Sequence, residues 1–144
     1  MDYKILAAAL LENMQSLHKA RPQKHINEAL QGEAFVLHFI AHQNRDVLPS
    51  DISQEMDVSS ARVAAALNKL ENKELITRQN DDKDRRKVIV KVTKKGKDLA
   101  DKQYDEVLNA AAKLLSALGE NDAKEYLRIT KKMADMALKI SEML

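Results

Sequence analysis

Apolar residues recur along this chain mostly at intervals of three and four, the spacing of one helix face. Ile5, Leu6, Ala9, Leu10, Met14 and Leu17 predict a helix over residues 3–19. Arg21, Pro22 and Gln23 predict its end, because proline disfavours the helical conformation of the residue before it. A second helix is predicted from about Glu28 to Gln43. Its face carries Ala34, Leu37, His38, Ala41 and His42, with Phe35 and Phe39 beside them and Gly32 as a weak point near the start. Pro49-Ser50 opens a short helix over Asp51–Met56, with Ser50 as its expected N-cap. Val58-Ser59-Ser60 reads as a tight break. The helix after it runs to about Lys73, capped by Ser59 or Ser60, with Val63, Ala66, Leu67 and Leu70 turned inward. Its outer face holds Ser60, Arg62, Ala65, Asn68 and Lys69 and no acid, whereas a merely solvated face would usually include Glu.

The period then changes. Leu75–Gln79 and Lys87–Val92 have strand character, and Val88, Val90 and Val92 alternate with Lys87, Ile89 and Lys91, predicting one buried face. Asn80-Asp81-Asp82-Lys83-Asp84 between them is a turn-forming cluster. Two strands alone are marginal, so this hairpin must pack on a helical body. Thr93 is placed to cap a long helix from about Lys94 to Leu118, which Gly119 stops. Asn121 or Asp122 is the expected cap of a last helix.

Composition narrows the class. At 144 residues, 44% hydrophobic and 32% charged, the chain is expected to form one folded unit. Three Gly and two Pro argue against a many-stranded β fold. The absence of Cys excludes disulfides, CxxC zinc sites and thiol chemistry, and fits a reducing cytoplasm. Residues 1–11 lack the basic lead and cleavage site of a signal peptide, and no apolar run is long enough to span a membrane. No catalytic motif is present: neither a Gly-rich phosphate loop, HExxH nor GxSxG. No enzyme activity and no cofactor are expected. The net charge is only +2, but Lys69–Lys97 holds 11 Lys or Arg against 5 Asp or Glu, so +6 sits in that block and −4 on the rest. A basic block in an acidic remainder points to a polyanion contact; the alternative is a solvated charged surface.

The order of elements matters most. A short helix, a tight break, a helix with a polar-basic face and then a basic hairpin is the winged helix-turn-helix arrangement, whose second helix can enter a major groove. The predicted fold class is mainly α with a small β-hairpin wing: a winged helix-turn-helix lobe plus a helical dimerisation region. The hairpin carries Asp81-Asp82-Lys83-Asp84-Arg85-Arg86, followed by Lys87 to Thr93 and Lys94-Lys95-Gly96. In these residues the chain resembles the MarR family of bacterial winged-helix transcription regulators. That family's wing signature, an acid, any residue, an Arg, three residues and then Val or Ile, fits Asp84, Arg86 and Val90. Its Thr-x-x-Gly helix opening fits Thr93 and Gly96. Leu67–Arg78 (LNKLENKELITR) resembles the end of its recognition helix and first wing strand. Glu74 departs from the family, which usually has a left-handed Gly there.

The resemblance implies one MarR-like unit over residues 1–144, a DNA-binding lobe over 28–92, and a dimerisation region over 1–20 and 94–144. It implies a cytoplasmic homodimer that binds a pseudo-palindromic double-stranded DNA operator, as a repressor. The expected DNA-binding residues are Ser59, Ser60, Arg62, Ala65, Asn68, Lys69, Lys83, Asp84, Arg85 and Arg86, with Asp84 bracing the wing through an ion pair. Independently, Leu108, Ala111, Ala112, Leu115, Leu127, Met133, Met136, Leu138 and Ile140 form more apolar surface than one small lobe covers. A second copy would cover it; a monomer core is the alternative. The resemblance also places a small-molecule effector near His18, Arg21, Phe35, Phe39 and His42, a lining that suits an aromatic anion, although Phe35 and Phe39 also read as core. Some members sense zinc, and His38 and His42 share one helix face, so they are the weak metal candidates. A helical interaction module that binds protein or RNA is the other class left open.

Overall fold

All 14 buried residues lie between Val36 and Ala100, so a single core organises the middle of the chain. The structure, a computed structural model, describes residues 1–144. It contains α1 (Tyr3–His18), α2 (Arg21–Gln31), α3 (Glu33–Ala41), α4 (Pro49–Met56), α5 (Ser60–Asn72), β1 (Ile76–Asn80), β2 (Val88–Val92), α6 (Lys94–Leu118) and α7 (Glu120–Met143). The core joins Val36, Leu37 and Ile40 of α3, Ile52 of α4, and Val63, Leu67 and Leu70 of α5 with Val47, Leu75, Ile76, Val90 and Ala100. No helix is long and apolar enough to cross a membrane.

Three sequence expectations are corrected in the first half of the chain. The end of α1 before Pro22 is as expected, and Arg21 and Pro22 themselves open α2, where Ala20 is the extended N-cap. Proline's missing N–H costs nothing in a first helical turn. The helix expected over Glu28–Gln43 is two helices, because Gly32 adopts an extended conformation (φ −95°, ψ −165°) between α2 and α3. The buried face of α3 is Val36, Leu37 and Ile40 rather than Ala34, Leu37, His38 and Ala41. This helix is apolar nearly all round, so its periodicity could not choose a side. Ser50 does not cap α4. Leu48 is the N-cap residue, and Asp51 Oδ2 accepts from the Leu48 N–H at 2.9 Å and from Arg45 Nη1 at 3.0 Å.

The break between α4 and α5 begins one residue earlier than expected. Asp57 takes the left-handed conformation (φ 53°), and Ser53 Oγ donates to the Val58 carbonyl at 2.6 Å. Ser59 then caps α5, its Oγ accepting from the Arg62 N–H at 3.2 Å. At the other end of α5, Glu74 does adopt the left-handed backbone (φ 63°) at a position where Gly would be unstrained. A hydrogen-bonded corner holds it there. Thr93 Oγ1 donates to the Glu74 carbonyl at 2.8 Å and accepts from the Gly96 N–H at 3.0 Å, while the Thr93 N–H donates to Leu75 O. Gly96 is required for this corner, since a Cβ there would lie 2.0 Å from the Leu75 carbonyl oxygen.

The wing is an antiparallel pair with Ile76 opposite Val92, Arg78 opposite Val90 and Asn80 opposite Val88. Val90 also donates its N–H to Val47 O at 2.8 Å, a third-strand bridge that a single residue cannot announce in sequence. Ile89 is buried as well as Val90, so the strict one-face alternation expected of this strand does not hold. The long helix α6 packs on α2 and α3, and α7 folds back on it through Gly119 (φ 88°). Asn121 and Asp122 are not caps. Gly119 is the N-cap residue, and Asp122 sits in the first turn, where its charge complements the helix dipole.

Candidate nucleic-acid interface

The core fixes which side of α5 faces out. Val63, Leu67 and Leu70 are buried, which leaves Ser60, Ala61, Arg62, Ala64, Ala65, Asn68, Lys69 and Asn72 exposed. The sequence reading missed Ala61, Ala64 and Asn72, which the helical period alone would have included. Three small alanines let the helix backbone approach another surface closely, and a methyl group suits the thymine methyl in a major groove.

Two clamps flank this face. On one side Glu33, at the start of α3, receives Lys73 Nζ at 3.0 Å and lies 3.9 Å from Lys69 Nζ. Lys69 is therefore partly committed within the fold. On the other side Arg78 of β1 reaches α5 by a fork. Its Nε and Nη2 donate to the Glu71 carboxylate at 3.2 and 3.1 Å, and Nη2 also donates to Asn68 Oδ1 at 2.7 Å. This hydrogen bonding holds the Glu71 carboxyl below its usual range and raises Arg78 further. Arg78 lay inside the basic block, yet its role could not be read there, because only the fold brings β1 beside α5.

The wing tip is open. Lys83, Asp84, Arg85 and Arg86 are exposed, and none of the three cations is in an ion pair. The expected ion pair from Asp84 is corrected: its Oδ1 instead accepts from the backbone N–H of Arg86 at 3.1 Å. Asp81 does the same for Lys83 at 3.1 Å, and the Lys87 N–H donates to Asp84 O. Short acids thus brace the loop by local turns and leave both guanidinium groups unpaired.

The residues expected around an effector separate. A largely apolar hollow of about 410 Å³ lies between α2, α3 and α6, against Ile26, Leu30, Phe35, His38, Tyr104 and Val107. Of the five expected residues, only Phe35 lines it. Phe39 and His42 line a neighbouring polar depression with Arg45 and Asp51. His18 and Arg21 line neither; His18 is engaged by the Asn27 amide at 3.1 Å. The rings of His38 and His42 stack at 4.2 Å, His38 also stacks on Tyr104 at 5.0 Å, and His42 Nε2 lies 3.4 Å from Asp101. Burial lowers the His38 pKa, His42 lowers it further, and Asp101 opposes both. The atoms His38 Nδ1 and Gln103 Oε1 are buried without partners. No three His, Asp or Glu residues are grouped to hold a metal ion.

A basic hairpin lies beside an exposed face of α5 whose one acid, Glu71, is tied to Arg78, an arrangement suited to a polyanion. The family model for a winged helix DNA-binding domain matches residues 31–96. The HTH-type transcriptional regulator YwhA of Bacillus subtilis is 26% identical over 142 residues, 93% of this chain and 99% of that protein. The transcriptional repressor MdtR of the same organism is 34% identical over 92 residues, 61% of this chain and 57% of MdtR. The crystal structure of MarR superposes with a TM-score of 0.65 at 20% identity, covering 100% of this chain and 96% of that one. All three are similar to this chain in architecture or sequence, and the two curated relatives are transcriptional regulators, not enzymes. With the wing and helix-turn-helix in place, residues 31–96 form a winged helix DNA-binding domain, and the chain as a whole is similar to HTH-type transcriptional regulators.

Proposed function

We propose that the chain is a repressor that works as a homodimer, each copy laying α5 into a major groove of one half of a pseudo-palindromic operator. The wing follows the adjacent backbone or minor groove. The observation that carries this is the exposed face of α5, where the one acid, Glu71, is neutralised by Arg78, beside unpaired Lys83, Arg85 and Arg86. Arg62 suits bidentate contact with guanine. The assignment as a repressor rests on the likeness to MdtR. The units behind this reading are a DNA-binding lobe over residues 28–92 and a dimerisation region over 1–20 and 94–144, and the site of action is the cytoplasm.

Dimerisation is supported by α7. Tyr126, Ile129, Met133, Met136, Ile140 and Met143 recur at alternating steps of three and four, and every one is exposed. That is the seam of a coiled coil, left without a partner inside one chain. The exposed Ile5, Leu6, Leu10, Met14 and Leu17 of α1 add a second apolar surface. Release from the operator is assigned to a small, mainly apolar aromatic molecule in the hollow between α2, α3 and α6, where Phe35 and Tyr104 would flank its ring. The hollow joins the lobe to the long helix, so its filling shifts the angle between them.

Selection of bound sites from random duplex DNA, followed by affinity measurements on Arg62→Ala, tests the core of this proposal. The variant should lose about 1–3 kcal/mol on the selected site and relax the preference at one position in each half. An equal loss on random duplex would mean that Arg62 meets only phosphate. Selected sites without two-fold symmetry would end the homodimer reading.

A further inference from the structure

We infer that Arg78 determines which base Asn68 reads, biasing it toward the acceptor edge of guanine. This rests on the proposal that α5 enters the major groove. Asn68 is exposed on the outer face of α5, in line with Ala61, Ala64, Ala65 and Asn72. Its amide is not free to turn. Arg78 Nη2 lies 2.7 Å from Oδ1, and a guanidinium has donors only, so the amide must present its carbonyl to it. The Nδ2 group, with two N–H donors, is then directed away from Arg78. Glu71 holds the guanidinium in place by two further bonds at 3.1 and 3.2 Å, so Arg78 is anchored on α5 rather than free to follow a phosphate.

The consequence is one of base chemistry. An asparagine recognises adenine in a bidentate way by donating to N7 while its carbonyl accepts from the N6 amine. Here the carbonyl is already bonded to a cation. Guanine offers N7 and O6, two acceptors side by side, and asks nothing of the carbonyl. Arg78 takes one of the two lone pairs of Oδ1 and sets a cation beside it, which weakens the carbonyl as an acceptor for the adenine amine and favours the acceptor edge of guanine, so a clamped Asn68 is better matched to guanine than to adenine. Arg78 touches no base in this scheme; it is a positioning residue that acts through the orientation of a neighbouring amide.

The full-length protein and its variants would each be taken through selection from random duplex DNA, with relative affinities then measured on single-base changes. Asn68→Ala identifies the position, because preference there should vanish while the rest of the site persists. The wild type should select guanine at that position over adenine by about fivefold, the low end for a base contact. Arg78→Ala frees the carbonyl and should move the preference toward adenine at that position alone. Asn68→Asp, an exposed change that keeps the bond to Arg78, replaces the donor by an acceptor and should move the preference to cytosine, whose N4 amine donates. If Arg78→Ala does not fold, Asn68→Asp still decides. Adenine in the wild-type site, or guanine retained by Arg78→Ala or Asn68→Asp, would overturn the inference. If Asn68→Ala and Arg62→Ala both leave the selected site unchanged, α5 is not the reading helix, and the broader proposal fails with it.

Discussion

The winged lobe and the terminal helices spend similar apolar residues in opposite ways. Between Val36 and Ala100 the large aliphatic side chains are sealed: Leu37, Val63, Leu67 and Ile76 are each 1% exposed, and Ile52 is fully covered. In α1 and α7 no residue is buried, although Leu6, Leu10, Met133 and Ile140 are as apolar as anything in the core. A monomer seldom leaves such stripes in water without a use for them. The lobe's hydrophobic residues build its own fold. Those of α1 and α7 stay exposed; under the proposed homodimer a second copy would cover them and set the distance between two α5 helices.

Core disruption in the lobe should give the largest effect. Leu67→Ala removes a sealed side chain from the middle of α5 and should cost about 2–5 kcal/mol in unfolding experiments with urea. DNA binding should fall with it, because the same helix would carry the reading face. A loss below about 1 kcal/mol would mean that the lobe repacks freely and that the contrast with the termini is false. Met133→Asp puts a charge in the centre of the α7 stripe. It should leave the circular dichroism of the lobe unchanged and weaken self-association by about 3 kcal/mol, seen as monomer by sedimentation. An unchanged dimer would place the interface elsewhere.

The same contrast explains what the sequence could reveal. Elements with a strong period and a chemical end signal were legible almost to the residue: α5 with Ser59, and α6 with Thr93 and Gly119. The division at Gly32 was not, because glycine inside an apolar run marks a weakness without saying whether the helix breaks. Cap positions misled where the capping group lay inside the helix, as Asp51 does for Leu48. On α5 the exposure of Ser60, Arg62, Ala65, Asn68 and Lys69 was readable from the helical period, while Ala61, Ala64 and Asn72 were passed over. The contacts between side chains were not readable. Arg78 and Asn68 are ten positions apart, and Glu33 and Lys73 forty apart, so only tertiary packing pairs them.

A smaller effect should follow from the tip of the wing, whose Lys83, Arg85 and Arg86 side chains take no part in the core. Arg86→Ala should leave stability and self-association unchanged, because its side chain has no partner in the fold. It should weaken operator binding and flatten the slope of log affinity against log salt by about 1.8, one phosphate contact from each of two copies at roughly 0.9 each. Arg85→Ala should do the same. Asp84→Ala should act more mildly, by loosening the turn that its carboxylate braces. Unaltered affinity and slope in both arginine variants would make the wing a structural flap.

The mildest test lies on the seam between the two regions. His38 of α3 stacks on His42 and on Tyr104 of α6, with Asp101 beside His42. Burial first, and then the nearness of His42, lowers its pKa from the ordinary 6.5, while Asp101 pulls the other way. A histidine that resists protonation in the folded state makes the unfolded state the stronger proton binder over that interval. Stability should therefore be fully present above pH 6.5, fall as the pH drops below it, and level off once the folded form is also protonated. Thermal unfolding between about pH 5 and 8 would trace this loss. His38→Phe keeps a ring against Tyr104 and removes the titration, so its melting temperature should depend less on pH than that of the wild type. Because His38 ties α3 to α6, the acid-induced loss should also appear as earlier hydrogen exchange along α3 than at the Leu67 core of α5. Equal pH dependence in both proteins would show that the seam is held by packing alone.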